Sequence, residues 1–208
     1  MPLLPDMENP ARPNSILTDT AFIAYLDQLK TVIRANGLFD GSRDENTAEH
    51  SWHAAMSAMI LAPYANNEVD LDHVIQMLLV HDLVEIEAGD FPIYEDSNPQ
   101  DQDQDQLEVE AAELIFGEKA AGHGARLRAL WDEFEARVTP EAKFARAIDR
   151  FLPLFSNIYN RGYSWHPTGV SAAQVEKNLA LIRDGSTRLA DLVEVWVAKA
   201  VEDGFLAP

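Results

Sequence analysis

The residues best suited to chemistry lie in two short stretches of the chain. His50 lies in ENTAEHSWH, and His81 is followed directly by Asp82 in MLLVHDLVEIEAGD. Glu85 comes four residues after His81, which places both on one face if the stretch is helical. Asp90 lies just beyond the end of that predicted helix. Because an isolated carboxylate in an apolar helix is very costly, these residues need partners.

A metal ion is the partner that this combination of side chains favours. Imidazole nitrogen together with carboxylate oxygen suits Zn, Mn, Fe, Co or Ni, whereas an all-oxygen set would suit Mg or Ca. The alternative is a buried His81–Asp82 hydrogen bond that only fixes helix packing. The second histidine upstream favours the metal. His53 is an alternative ligand to His50, since the two lie three residues apart on one predicted helix.

The pattern of apolar residues, caps and terminators predicts an all-α fold. The expected helices span about 18–37, 46–63, 70–89, 107–116, 125–138, 140–159, 171–185 and 186–204. Asn46 or Thr47 begins the second helix, where Glu49 can complete a capping box on Asn46. The helix 70–89 is apolar on most sides, so it is expected at the centre of the fold. Pro153 is expected to kink its helix or end it early.

Length and charge restrict the class of protein further. The 208 residues suffice for one domain, expected over 18–206 with its core at 21–159, after a mobile lead-in over 1–17. The absence of cysteine and of a signal-like N-terminus is typical of a cytoplasmic protein. No apolar window is long enough to span a membrane.

Negative charge is concentrated in one part of the chain. The net charge is −19, and the stretch from Asp44 to Glu118 holds 19 acidic residues and no Lys or Arg. Such a surface repels bulk nucleic acid and anionic membranes, so neither is an expected partner. The acidic tract within 91–106 is expected to be a solvated loop.

Three motifs resemble a known family. ENTAEHSWH, HDLVEIEAGD and KFARAIDRFLPL are similar, in this order, to the His…His-Asp…Asp signature of HD-domain metal-dependent phosphohydrolases. The resemblance covers about 21–159 and is greatest to the small branch that includes the YfbR-type 5′-deoxynucleotidases. It implies a helical fold in which His50, His81, Asp82 and Asp149 hold one divalent transition-metal ion.

The resemblance also implies roles for the remaining acidic residues. Glu85 and Asp90 would handle protons at the scissile phosphate and near the attacking water, and which of them gives the proton stays open. Glu49 is better explained as a helix cap than as a ligand. His123 is the one histidine between the HD pair and Asp149, which favours one metal over two.

A phosphate substrate needs positive charge besides the metal. The candidates are Arg34, Arg43, Arg146 and Arg150. In the resembling nucleotidases an arginine followed by tryptophan contacts the nucleotide at the end of the first helix. Arg34 matches that arginine, but Ala35 follows it, which predicts loose discrimination between ribose and deoxyribose.

These observations together predict a metal-dependent phosphomonoesterase. Its expected substrate is a small phosphorylated molecule, a nucleoside 5′-monophosphate, attacked by a metal-activated water, and its expected assembly is a homodimer. One alternative is phosphodiester or nucleoside triphosphate hydrolysis on the same scaffold. The other is a non-enzymatic regulator that binds a metal or a nucleotide.

Overall fold

The computed structural model describes residues 16–91 and 101–208, so most of the predicted lead-in over 1–17 lies outside the described residues. The described chain is helical apart from one short two-stranded sheet, which confirms the all-α prediction. Its elements, in chain order, are α1 (Ile16–Leu26), β1 (Ile33–Gly37), β2 (Asp44–Asn46), α2 (Thr47–Leu61), α3 (Leu71–Val80), α4 (Glu85–Ala88), α5 (Asp101–Ala112), α6 (Gly124–Ala136), α7 (Pro140–Tyr159), α8 (Trp165–Thr168), α9 (Ala172–Gly185) and α10 (Thr187–Glu202). Within these ranges no helix is both long and apolar enough to cross a membrane.

Helix α3 lies at the centre of the fold, as its apolar sequence predicts. It packs against α2, α6 and α7, and its side chains Val74, Met77 and Leu78 are fully buried. On the other side of α7, helices α9 and α10 form a second layer. Because α2, α3 and α7 meet in the core, residues from distant parts of the chain can share one site.

The start of α2 follows the sequence prediction closely. Asn46 is the N-cap: its side-chain oxygen accepts a hydrogen bond from the Glu49 amide at 3.0 Å. The Glu49 carboxylate accepts one from the Asn46 amide at 2.8 Å. This capping box fixes the first turn of α2, and His50 lies in that turn.

The first helix was predicted to reach Gly37, and this prediction is wrong beyond residue 31. After α1 the chain makes a 3₁₀ turn (Asp27–Thr31) and then extends into β1, which pairs antiparallel with β2. The run Thr31-Val32-Ile33 is β-branched, which favours extended backbone over helix. The change matters for function, because Arg34 lies on this strand with its side chain buried.

The third predicted helix, 70–89, is helical in three segments instead of one. Helix α3 ends at Val80, a 3₁₀ turn covers His81–Val84, and α4 follows until Gly89, whose φ of 82° ends it. The tighter 3₁₀ turn therefore contains the His81–Asp82 pair. A 3₁₀ stretch inside a helix often marks a functional position.

One further prediction about local structure is wrong, and of the two outcomes predicted at Pro153, a kink or an early helix end, the early end is not found. The acidic tract is helical in its second half, where Gln104 and Gln106 donate side-chain hydrogen bonds to the acidic residues four positions on; residues 92–100 lie outside the described residues. Helix α7 does not end early at Pro153 but continues to Tyr159. Burial of Leu154 and Asn157 after the proline holds that half of the helix in place.

Helix α9 approaches α7 closely through a glycine, which generates a stability prediction. A Cβ at Gly185 would lie 2.2 Å from the carbonyl oxygen of Lys143 and 2.7 Å from the Cβ of Ala147. Gly185→Ala should therefore lower the free energy of unfolding by about 1–3 kcal/mol, the usual cost of overpacking. Gly117→Ala is the matched control, because a Cβ there has no atom within 4 Å. Equal denaturation midpoints for the two variants would contradict this packing.

Candidate metal centre

Four of the sequence-predicted residues come together in the core. His50 lies on α2, His81 and Asp82 lie in the 3₁₀ turn after α3, and Asp149 lies on α7. The Nε2 atoms of His50 and His81 lie 3.2 and 3.4 Å from Asp149 Oδ1, and His81 Nε2 lies 3.0 Å from Asp82 Oδ1. Ligand atoms of His50, His81 and Asp82 all lie within 4.8 Å of one another. Such a buried cluster could hold a divalent cation.

Hydrogen bonds orient both imidazole rings towards this cluster. His81 Nδ1 lies 2.8 Å from the carbonyl oxygen of Leu78, so that nitrogen carries a proton and donates it. Its Nε2 is buried and makes no hydrogen bond. His50 Nδ1 lies 3.4 Å from Glu45 Oε2, which leaves Nε2 for the cluster. A carboxylate or carbonyl behind each imidazole is the usual support for a metal-binding histidine.

Glu45 was missed by the sequence reasoning. It lies directly before the N-cap of α2, on β2, and its Oε2 also lies 3.8 Å from Arg34 Nε. The signal that could have found it is the pairing of β1 with β2, which brings Arg34 towards the first turn of α2. Because β1 was predicted as helix, that signal was absent.

The carboxylates of the cluster control the protonation of its histidines. Burial lowers the pKa of His81, but Asp82 and Asp149 outweigh it and raise the pKa to about 10. Burial and Arg34 lower the pKa of His50, yet the hydrogen bonds with Asp149 and Glu45 produce a net rise. In turn, the pKa values of Asp82 and Asp149 lie below their ordinary value, since cationic neighbours outweigh burial. Without a metal, the cluster therefore attracts protons to its histidines.

Arg34 is the central cation beside the cluster. Its Nη1 lies 3.0 Å from Asp82 Oδ2, 3.4 Å from Asp90 Oδ1 and 3.5 Å from Glu85 Oε1. Burial lowers the pKa of Arg34, but these three carboxylates outweigh it and raise the pKa above its ordinary value. Arg34 thus stays charged and holds the three acidic residues in one place.

Glu85 and Asp90 face the same cavity. Thr47 Oγ1 donates a hydrogen bond to Glu85 Oε2 at 2.8 Å, and the Ala35 amide donates one to Asp90 Oδ2 at 3.3 Å. Burial, reinforced by Asp82, raises the pKa of Glu85 to about 9. Burial also raises the pKa of Asp90. Of the two, Glu85 therefore carries a proton at neutral pH in the metal-free protein.

The cavity beside the cluster has a volume of about 190 Å³. Part of its lining comes from α5, with Gln104, Asp105 and Glu108, and another part comes from the end of α6 and from α7, with Glu135, Arg137, Arg146 and Arg150. The sequence analysis named Arg146 and Arg150 of this set. It missed the other residues, because they belong to none of the three motifs.

Arg146 and Arg150 both support Asp149. Arg146 is buried, donates to Glu135 at 2.6 Å, and stacks 4.1 Å above the Phe134 ring. Its Nη1 lies 3.6 Å from Asp149 Oδ2, and Arg150 Nε lies 3.5 Å from the same atom. The positive charges of these two arginines offset the free-energy cost of burying the Asp149 carboxylate.

Two other predicted candidates are not brought to the cavity. Arg43 is exposed and binds the Glu49 carboxylate, with Nη2 2.9 Å from Oε2. His53 packs its ring against Phe39 and Trp52. The capping box therefore accounts for Glu49, and His50 is the histidine of ENTAEHSWH that faces the cluster.

Comparison with known proteins identifies the family. The HD domain family model matches residues 26–188. This chain belongs to the HD-domain family. The resemblance inferred from the three motifs is confirmed.

Relatives of this HD-domain chain include solved and curated proteins. A solved structure described as a predicted metal-dependent phosphohydrolase, from Magnetospirillum magnetotacticum MS-1, is 43% identical, with a TM-score of 0.86 over 93% of this chain and 96% of that one. The human 5′-deoxynucleotidase HDDC2 is 28% identical over 62% of this chain and 61% of the relative. The 5′-deoxynucleotidase hdd1 of Schizosaccharomyces pombe is 26% identical over 65% and 68%. The match thus spans about three fifths of the human relative's length.

The protonation of the cluster predicts how stability depends on pH when metal is removed. Glu85 has a pKa of about 9 in the folded chain against 4.5, and His81 about 10 against 6.5, so the folded state binds more protons than the unfolded state. Stability must then fall as pH rises. Between pH 6.5 and 9 both groups act together, so the melting temperature of chelator-treated protein should fall across this window.

Glu85→Gln provides the control, because it removes one of the two groups. Its melting temperature should fall less steeply over the same pH range. Equal slopes for the variant and the parent protein would show that Glu85 does not hold the proton.

Proposed function

We propose that this protein is a metal-dependent phosphomonoesterase that hydrolyses nucleoside 5′-monophosphates. The observation that carries the proposal is the convergence of two buried histidines, the buried carboxylate of Asp149 and the half-buried carboxylate of Asp82, from three separate helical segments, in one cluster. Curated relatives named 5′-deoxynucleotidase and the solved relative described as a phosphohydrolase support this class of reaction.

The proposed ligands are His50, His81, Asp82 and Asp149, which would hold one divalent ion from the set Mn, Co, Zn, Ni and Fe. The two nitrogen and two carboxylate donors fit such an ion. His81 Nε2 is buried and lies 3.0 Å from Asp82 Oδ1 without making a hydrogen bond, so a metal ion is a partner that would suit it. When bound, the ion supplies a Lewis acid for a phosphate oxygen and lowers the pKa of a water. Within the described residues one cluster of this kind is found, which supports a single metal.

Glu85 and Asp90 are the proposed proton-handling residues. Glu85 is the better proton donor, because its raised pKa of about 9 keeps it protonated at neutral pH while Thr47 fixes its orientation. Its proton would go to the leaving-group oxygen. Asp90, held by the Ala35 amide, is then the residue that accepts a proton from the attacking water.

Arginines at the cavity are proposed to balance the substrate's negative charge. Arg34, Arg146 and Arg150 all line it. Ala35, which follows Arg34, is small and exposed, so the sugar meets no aromatic side chain at this position. This supports cleavage of both ribo- and deoxyribonucleotides, with rates within about 100-fold of each other in kcat/KM.

A homodimer is part of the proposal. Helix α2 exposes the large apolar side chains of Trp52, Met56, Met59 and Ile60. Residues 51–61 contain no charged side chain, although the chain carries a net charge of −19. An uncharged apolar surface on so acidic a chain is suited to meeting a second copy of itself.

The proposed location is the cytoplasm. A chain without cysteine forms no disulfide bond, which is consistent with a reducing compartment.

A metal-by-substrate assay tests the function. Chelator-treated protein reloaded with each of the five metals should hydrolyse AMP and dAMP, releasing inorganic phosphate. His81→Ala should lose both the stoichiometric metal, measured by elemental analysis, and the activity. His73→Ala is the matched control, because His73 lies on α3 but pairs with Glu133 instead. Stoichiometric metal in the His81→Ala protein would contradict the ligand set.

Glu85→Gln separates proton handling from metal binding. The amide keeps the shape of the side chain but cannot give a proton, so kcat should fall by about 10²–10⁴-fold while metal content stays at one per chain. Glu87→Gln is the control, since Glu87 lies two residues away and binds Tyr25 instead of facing the cavity. Loss of metal from Glu85→Gln would make Glu85 a ligand and contradict the assignment.

A further inference from the structure

Arg137 has a backbone conformation that its side chain does not favour. It ends α6 with φ 54° and ψ 35°, in the left-handed region. Glycine adopts this conformation without a steric penalty, whereas a residue with a Cβ does not. In the described part of the chain, Arg161 is the other non-glycine residue with positive φ. Strain of this kind is often retained where a side chain has a functional task.

The left-handed conformation accompanies a defined position for the Arg137 side chain at the cavity. Its Nε donates a hydrogen bond to the carbonyl oxygen of Glu135 at 3.1 Å, and the residue forms part of the cavity wall. The hydrogen bond restrains the stem of the side chain near the end of α6. The guanidinium nitrogens beyond Nε remain available as donors.

Arg137 differs from the other arginines of the cavity in its charge balance. Arg34 lies within 4 Å of four carboxylates, Arg146 binds Glu135 and approaches Asp149, and Arg150 approaches Asp149. Arg137 has no ion pair with any residue whose side chain the structure describes. Among the side chains that the structure describes, none neutralises its positive charge by an ion pair.

An anion in this cavity also meets acidic side chains. Asp105 and Glu108 of α5 and Asp90 all face this cavity. Burial raises the pKa of Glu108, with further contributions from the negative charges of Glu135 and Asp105. A phosphate entering between these carboxylates meets repulsion, and a cation already paired with carboxylates offsets little of it.

We propose that Arg137 is a specificity-determining residue that binds the phosphate group of the substrate. The assignment rests on the proposed phosphomonoesterase function. Arg137 supplies a charge-assisted, forked hydrogen bond to the phosphate from the C-terminal end of α6, in a cavity that Asp105 and Glu108 of α5 also line. Arg34, Arg146 and Arg150 line the same cavity but offset less of the phosphate charge, because each also meets carboxylates of the site.

Arg137→Gly tests this assignment, because glycine relieves the backbone strain while it removes the charge. In the metal-containing enzyme, the dissociation constant of inorganic phosphate, measured by titration calorimetry, should rise about 10–100-fold, the scale of one lost hydrogen bond to a charged group. The KM for a nucleoside 5′-monophosphate should rise similarly, with kcat within about threefold, since the contact forms in ground and transition states alike. The melting temperature should stay equal or rise.

Arg161→Gly is the matched control. Arg161 shares the left-handed backbone but stacks on the Phe205 ring at 5.2 Å, away from the cavity. Its phosphate affinity and KM should equal those of the parent protein. Arg137→Lys keeps the charge without the fork and should recover part of the affinity, and Arg137→Asn replaces Arg137→Gly if the glycine variant does not fold.

The outcomes separate this assignment from the proposed function. Unchanged phosphate affinity in a folded Arg137→Gly or Arg137→Asn variant overturns the role of Arg137, whatever the activity. A lower melting temperature of Arg137→Gly with unchanged KM would assign Arg137 to helix capping alone. If the parent protein hydrolyses no nucleotide but loses phosphate affinity on Arg137→Gly, the proposed function fails and the role of Arg137 in phosphate binding stands.

Discussion

Burial of opposite charges at one point in a helical core is the constraint on which the rest of this structure depends. His50, His81 and Asp149 are nearly inaccessible to solvent, and removing ionised groups from water is costly unless each one meets a partner. Contacts between the histidines and the carboxylates of the cluster offset this cost. Arg34 balances the carboxylates on one side, and Arg146 and Arg150 balance Asp149 on the other. Removal of any one member would leave a buried charge without its partner.

The local backbone follows from that constraint. The capping box on Asn46 fixes the first turn of α2, so that His50 faces inward. The 3₁₀ turn after Val80 presents His81 and Asp82 together to Asp149. The short sheet carries Arg34 into the core and Glu45 behind His50. Each of these irregular features lies where a charged side chain must be positioned, while the regular helices supply the apolar packing around them.

The charge pattern of the cavity connects this architecture to a phosphate substrate. In the absence of metal the histidines take up protons, because the surrounding carboxylates favour positive charge at that point. A divalent ion bound as proposed would pair with the same carboxylates and replace the protons on the imidazole nitrogens. The walls of the cavity differ in sign, acidic along α5 and basic along α6 and α7. A phosphate ester with one anionic end suits a cavity of this polarity.

The sequence by itself determined the helical fold class, the cap at Asn46, and the motifs that contain His50, His81, Asp82 and Asp149. These features depend on local spacing and side-chain type, which can be read along the chain. Only the tertiary structure decided that Arg34 lies on a strand, that Glu45 supports His50, and that Arg43 stays outside the cavity. It also decided that the acidic tract continues into α5 as a wall of the site. Contacts between residues distant in sequence override local helix preference, and the partner of a buried charge is set by which elements pack together.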